Sequence, residues 1–152
     1  MRMNALNHWK IKPFVNELTS IVLAQLVDKK VEKDKWKKAI NQWGLSMIFV
    51  VLATFVYLYY YKLPTASRFS NPLTLLFSDE MVWICTGFII FSSFYMIWMK
   101  KKYKKADDDF EAIRKDFIDR NEEWWSDEEQ WNQRHVVFEF MKQEYNINIL
   151  HK

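Results

Sequence analysis

Ala39–Tyr61 reads AINQWGLSMIFVVLATFVYLYYY, and Met81–Met99 reads MVWICTGFIIFSSFYMIWM. No charged residue lies between Lys38 and Lys62, and about 20 mostly apolar residues suffice for a helix to cross the hydrocarbon core of a bilayer. Leu45, Ile48, Phe49, Val50, Val51, Leu52, Phe55, Val56 and Leu58 fill the first run. Together they favour insertion by about 3 to 5 kcal/mol, with no central lysine to oppose it. Val82, Ile84, Phe88, Ile89, Ile90, Phe91, Phe94 and Ile97 do the same in the second, broken only by Thr86, Gly87, Ser92 and Ser93. Trp43, the Tyr57/Tyr59/Tyr60/Tyr61 group, Trp83, Tyr95 and Trp98 stand near the ends, where amphipathic rings favour the membrane–water boundary. The rest of the chain has too little apolar sequence to cover two such runs as buried core helices.

Charge is partitioned around these runs. Residues 1–43 carry a net of +5, residues 44–99 balance, KKKYKK at residues 100–105 adds +5, and residues 106–152 carry −7, within a total of +3. Base therefore concentrates at the feet of the hairpin, which does not resemble a nucleic-acid-binding face. Lys29, Lys30, Lys33, Lys35, Lys37 and Lys38 precede the first run, and Lys100, Lys101, Lys102, Lys104 and Lys105 follow the second. The connecting loop offers only Lys62 and Arg68, beside Asp79 and Glu80. By the bias of basic residues toward the cytoplasm, both termini are expected inside a cell membrane and the loop outside. The eleven flanking lysines are also candidate contacts for anionic lipid headgroups.

The expected fold is all-α, a two-span transmembrane helical hairpin with an N-terminal amphipathic helix and C-terminal cytoplasmic helices. The divisions are a cytoplasmic N-terminal helix within 1–43, a first span at 44–61, an external loop at 62–80, a second span at 81–99 and a cytoplasmic helical tail at 100–152. The first residues, MRMNALNHWKIKPF, lack the apolar core of a cleaved signal. Pro13 suits a first helical position. Phe14, Leu18, Ile21, Val22 and Gln25/Leu26 recur at three- and four-residue steps, predicting that they share the apolar face of the N-terminal helix. Trp36, Ile40 and Trp43 share a face further along. In the loop, Pro64 ends the first helix, Asn71-Pro72 marks a turn, and Leu73–Phe77 reads as a short interfacial segment.

The tail carries aromatic residues seven apart without a break: Tyr103, Phe110, Phe117, Trp124, Trp131, Phe138 and Tyr145. A seven-residue step returns to nearly the same helix face. The companion positions Ala106, Ile113, Arg120, Asp127, Arg134, Met141 and Asn148 are half polar, which argues against a regular coiled coil. The stripe fits helices lying against the N-terminal helix, the membrane surface or a second subunit. These seven residues are the expected partner-binding positions. Ser126-Asp127-Glu128-Glu129 has the form of a capping box, predicting a break after Trp124-Trp125 and a new helix over Asp127–Glu144. The ending YNINILHK, with Ile147 and Ile149 alternating, reads as non-helical.

Little here points to chemistry. His8, His135 and His151 share no metal-ligand spacing. Asp107–Asp109 and Glu122/Glu123 lack a calcium-loop pattern. Two glycines cannot build a phosphate-cradling loop, and no nucleotide-binding or nucleophile-elbow motif occurs. Cys85, the single cysteine, lies within the second span and reads as a small hydrophobe. Gly87, Ser92 and Ser93 on the second span, and Gly44 and Ala53 on the first, read as small residues for close packing within the hairpin. Neither cofactor nor metal is expected. Arg134, His135 and Glu139 form the one grouping that an enzyme would use.

FIDRNEEWW at Phe117–Trp125 and WNQRHVVFEFMKQEYNINILH at Trp131–His151, together with two mid-chain spans, resemble the YpbF-like family of small two-span membrane proteins of Bacillus-type bacteria. The resemblance implies a bacterial inner-membrane location and supplies no activity. The function expected from the residues is that of a non-enzymatic, membrane-anchored assembly or partner-binding protein acting through its cytoplasmic helices, by self-association or with another protein. The alternative is a subunit of an oligomeric small-solute pore or transporter.

Overall fold

A computed structural model describes residues 15–62, 64, 74, 77–125 and 128–150. Among them the chain is helical and contains no strand. Helix α1 runs Glu17–Tyr57 and passes into a π-helical turn at Leu58–Lys62. Helix α2 runs Glu80–Asp119, a single turn α3 follows at Asn121–Trp124, and α4 runs Glu128–Tyr145. The expected break after Trp124 is present, and Arg120 adds a second interruption just before it. His8, Pro13, Phe14, Arg68, Asn71-Pro72, most of Leu73–Phe77, Ser126-Asp127 and His151 lie outside the described residues.

The chain divides into two compact units. The hairpin unit is Trp36–Lys102, and the tail unit combines Met1–Lys35 with Tyr103–Lys152. The dividing points fall inside α1 and α2, so each long helix serves both units. The first lies about two turns before the 43/44 boundary drawn from hydropathy, because the rings of Trp36 and Trp43 pack on the second apolar helix.

In the hairpin unit the two helices run antiparallel. Trp36 meets Trp98 edge-on with ring centroids 5.7 Å apart, and Trp43 meets Tyr95 at 5.0 Å. At the loop end Asp79 is buried and holds several groups at once. Its Oδ1 accepts the Met81 N–H at 2.9 Å, so it caps the first turn of α2. Its Oδ2 takes the Lys62 ammonium at 2.7 Å and the Tyr57 hydroxyl at 3.1 Å. Burial of this carboxylate is sustained by these donors, since an unpaired buried charge is costly.

The small residues do not all serve close packing. Ser92 is fully buried, but a Cβ on Gly87 would meet nothing within 4 Å, and one on Gly44 would sit at an ordinary 3.8 Å from Met96. Gly87 and Ala53 face outward. The hairpin is held by ring pairs and the Asp79 clasp more than by backbone approach.

In the tail unit α1 also runs antiparallel to α2. Lys33 pairs with Asp107, Lys29 with Asp109, and the Thr19 hydroxyl donates to the Trp124 carbonyl at 2.9 Å. The buried face of α1 is Thr19, Leu23, Leu26 and Val27. This corrects the expected face. The period of the N-terminal pattern is helical, but Leu18 is 66% exposed and Ile21 48% exposed. Apolar residues surround more than half of this helix, so hydropathy alone leaves its rotation undetermined. The lysine–aspartate pairs and the Thr19 bond select the rotation.

The two faces make opposite predictions for stability. Leu23→Ala should destabilise the tail unit by about 2–5 kcal/mol, as for other buried leucines. Leu18→Ala should stay within about 0.5 kcal/mol. Denaturant unfolding of the purified protein in detergent, followed by tryptophan fluorescence, reads both.

Candidate functional site

Of the seven striped aromatics, Phe110, Phe117 and Phe138 are buried. They share a core with Leu23, Leu26 and Val27 of α1 and with Val137 and Met141 of α4. Tyr103, Trp124, Trp131 and Tyr145 are half-buried. Phe117 stacks on Trp124 at 5.9 Å with planes 7° apart. Arg120 covers Trp124 at 5.0 Å, and Arg134 covers Trp131 at 3.8 Å. The stripe thus helps build the module, and four of its rings remain partly exposed.

The heptad count missed Trp125. It is buried, packs edge-on against Phe138 at 5.9 Å, and donates its indole N–H to Asn121 Oδ1 at 3.0 Å. The interruption between α3 and α4 turns this neighbour of the striped Trp124 inward.

The chain beyond α4 completes the core. Asn146 has φ 54 and its N–H reaches the Lys142 carbonyl at 3.1 Å, a left-handed helix cap of a kind asparagine tolerates better than most residues. The extended segment after it buries Ile147 and Ile149 and exposes Asn148 and Leu150, as a two-residue period requires. Arg114 Nε donates to the Asn148 carbonyl at 2.6 Å, tying this segment to α2.

The eleven candidate headgroup lysines separate into two sets. Lys29 lies 2.9 Å from Asp109, Lys30 lies 3.3 Å from Asp34, and Lys33 pairs with Asp107 and, at 4.0 Å, with Glu111. Lys33 also stands 4.8 Å above the Phe110 ring. Lys35, Lys37, Lys38, Lys100, Lys101, Lys102, Lys104 and Lys105 are exposed. Lys102 leans toward the Trp98 ring at 5.6 Å.

Asp109 is held below its usual pKa of 3.8, first by the hydrogen bond from Lys29, with the charges of Lys29 and Lys105 adding to it. Lys29 is raised above its usual 10.5 by the same bond. For Lys33, burial works downward, and the hydrogen bond and charge of Asp107 overcome it to leave a raised pKa.

Arg134, His135 and Glu139 each have a separate hydrogen-bond partner. The Arg134 guanidinium donates to the Trp131 carbonyl at 2.9 Å, His135 Nδ1 faces the Asn132 carbonyl at 3.1 Å, and Glu139 accepts from Gln143 at 3.0 Å. An open groove of about 500 Å³ runs past His135, Phe138, Glu139, Lys142, Asn146 and Leu150. In the hairpin unit Cys85 lines an apolar crevice of about 220 Å³ with Phe49, Val50, Thr54, Tyr57 and Met81.

A helical module with an aromatic core, joined in one chain to two long apolar helices, now has a family to set it in. Residues 22–152 match the family described as Protein of unknown function (DUF2663), and the chain belongs to that family. It is similar to the Bacillus subtilis (strain 168) protein titled "Uncharacterized protein YpbF", at 24% identity over 141 residues, covering 92% of each chain. No solved structure matches.

The Lys29–Asp109 pair predicts a pH profile. Because the Asp109 pKa is lowered on folding, its stabilisation is complete above the unfolded value and is lost as pH falls through the folded one. The raised Lys29 contributes below its unfolded value and loses that contribution as pH rises through the folded one. Wild type should therefore lose stability on acidification below about pH 4. Asp109→Asn should be less stable at neutral pH, with a shallower acid limb, in unfolding midpoints measured across pH.

Proposed function

We propose that this is a two-span protein of a bacterial cell membrane, with both termini cytoplasmic, whose tail unit is a non-enzymatic assembly or partner-binding module. The observation that carries the membrane reading is how bare the apolar helices are. Both α1 and α2 contain a stretch long and apolar enough to cross a membrane, and 0% of the first and 6% of the second is buried within the chain. Phe49 is 73% exposed and Phe94 69%. Apolar surface costs about 25 cal/mol per Å² in water, and contiguous exposed patches of this kind mark membrane or protein contacts. Hydrocarbon removes that cost along both stretches. The orientation rests on the lysines beside them.

The binding reading is supported by the tail unit having its own apolar core, made without the two apolar stretches. A module that folds on its own core has an outer surface free for recognition. The partly exposed Tyr103, Trp124, Trp131 and Tyr145 supply aromatic contact area there, and aromatic residues dominate many interfaces.

In a Cys85→Ser background, Ser78→Cys should react with an impermeant maleimide on intact cells and Glu139→Cys should not. Reaction at the tail position overturns the orientation, and release of the protein by carbonate washing overturns the anchor. Chemical cross-linking in membranes should give fewer protein neighbours for Trp131→Ala than for wild type at equal expression. An unchanged cross-linking yield overturns the binding role of that face.

A further inference from the structure

Lys33 and Lys35 are neighbours in sequence with opposite fates. Lys35 is exposed and makes no ion pair among the described residues. The Lys33 side chain is 18% exposed and is held by Asp107, by the more distant Glu111 and over the Phe110 ring. Lys33 stands three residues before Trp36, about one helical turn from the aromatic residues at the foot of the hairpin. On the membrane reading the headgroup layer borders this end of the hairpin, where lysines beside a span attract anionic lipid.

We propose that Asp107 is a built-in competitor for anionic phospholipid headgroups. Its carboxylate occupies Lys33 in the position a lipid phosphate would take. Headgroup binding is thereby left to the exposed lysines, Lys35, Lys37 and Lys38 on α1 and Lys100, Lys101, Lys102, Lys104 and Lys105 on α2. This rests on the membrane reading above. The recognised chemistry is a phosphodiester at the bilayer surface, met by exposed ammonium groups that make no ion pair among the described residues. Lys102, leaning toward Trp98, has the bent-back posture of a lysine whose stem follows an apolar surface.

The test uses the full chain reconstituted in phosphatidylcholine vesicles, with spin-labelled phosphatidylglycerol or spin-labelled phosphatidylcholine as probe. The readout is the ratio of the two lipids in the motionally restricted shell. Wild type should prefer phosphatidylglycerol, and K100Q/K101Q/K104Q should lower that preference several-fold. D107N should raise it, by up to about fivefold if one lysine is freed. D107N/K33Q removes the same carboxylate without freeing an ammonium, so it should return to the wild-type ratio. A D107N/K33Q ratio as high as that of D107N overturns the proposal, because loss of the negative charge alone would explain the rise. A wild type without preference, or a D107N ratio equal to wild type, overturns it also. Carbonate washing of the same vesicles separates the two failures. Protein that washes off defeats the membrane reading, whereas protein that stays inserted and gives an overturning ratio defeats only the Asp107 competition.

Discussion

Within each unit the antiparallel pairing of α1 with α2 is the contact from which the other elements take their positions. In the tail unit Phe110 and Phe117 of α2 share a buried core with Leu23, Leu26 and Val27 of α1. Burying side chains of this size contributes about 1.5–3 kcal/mol each relative to exposure. The lysine–aspartate pairs along the seam add less, since partly exposed ion pairs are worth about 0–1 kcal/mol. Their contribution is to rotation and register. With α1 turned so that Lys29 and Lys33 meet Asp109 and Asp107, Leu23 and Leu26 are carried inward and Leu18 outward. Helix α4 and the segment after Asn146 then close the core from another side, using Phe138, Met141, Ile147 and Ile149.

The hairpin unit solves a different problem with the same pairing. Its rings meet at Trp36–Trp98 and Trp43–Tyr95, yet many of its large apolar side chains are left exposed by the chain. What holds the loop end is polar. Asp79 caps α2, takes the charge of Lys62 and receives the Tyr57 hydroxyl. On the membrane reading this gives the outer end of the hairpin a neutralised ion pair and leaves the exposed lysines at the other end. That is the asymmetry on which orientation depends.

How far the sequence was legible varied with the kind of interaction. Long apolar runs are read residue by residue, and both lie within the long helices α1 and α2. The heptad stripe was legible as a period, and its buried members Phe110, Phe117 and Phe138 are core. Its assignment to partner binding asked more than a period can tell. A repeat says that residues share a face and does not say what covers it. Trp125 was invisible to the count because it becomes core through the interruption between α3 and α4. Asp79 looked like one charge in a balanced loop, although an acidic residue just before an apolar helix is also the signature of an N-terminal cap.

The sequence by itself determined that the protein is helical, where its apolar stretches begin and end, how charge is distributed around them, and that the tail breaks after Trp124. These depend on local composition and period, which neighbouring residues carry without outside help. Only the tertiary structure decided which face of the N-terminal helix is buried, which lysines are occupied, and which three rings of the aromatic stripe are core. Each of these turns on a contact between segments some 70 to 105 residues apart, such as Lys29 with Asp109 or Thr19 with Trp124. Two lysines two residues apart have the same chemistry until an aspartate from the other end of the chain reaches one of them.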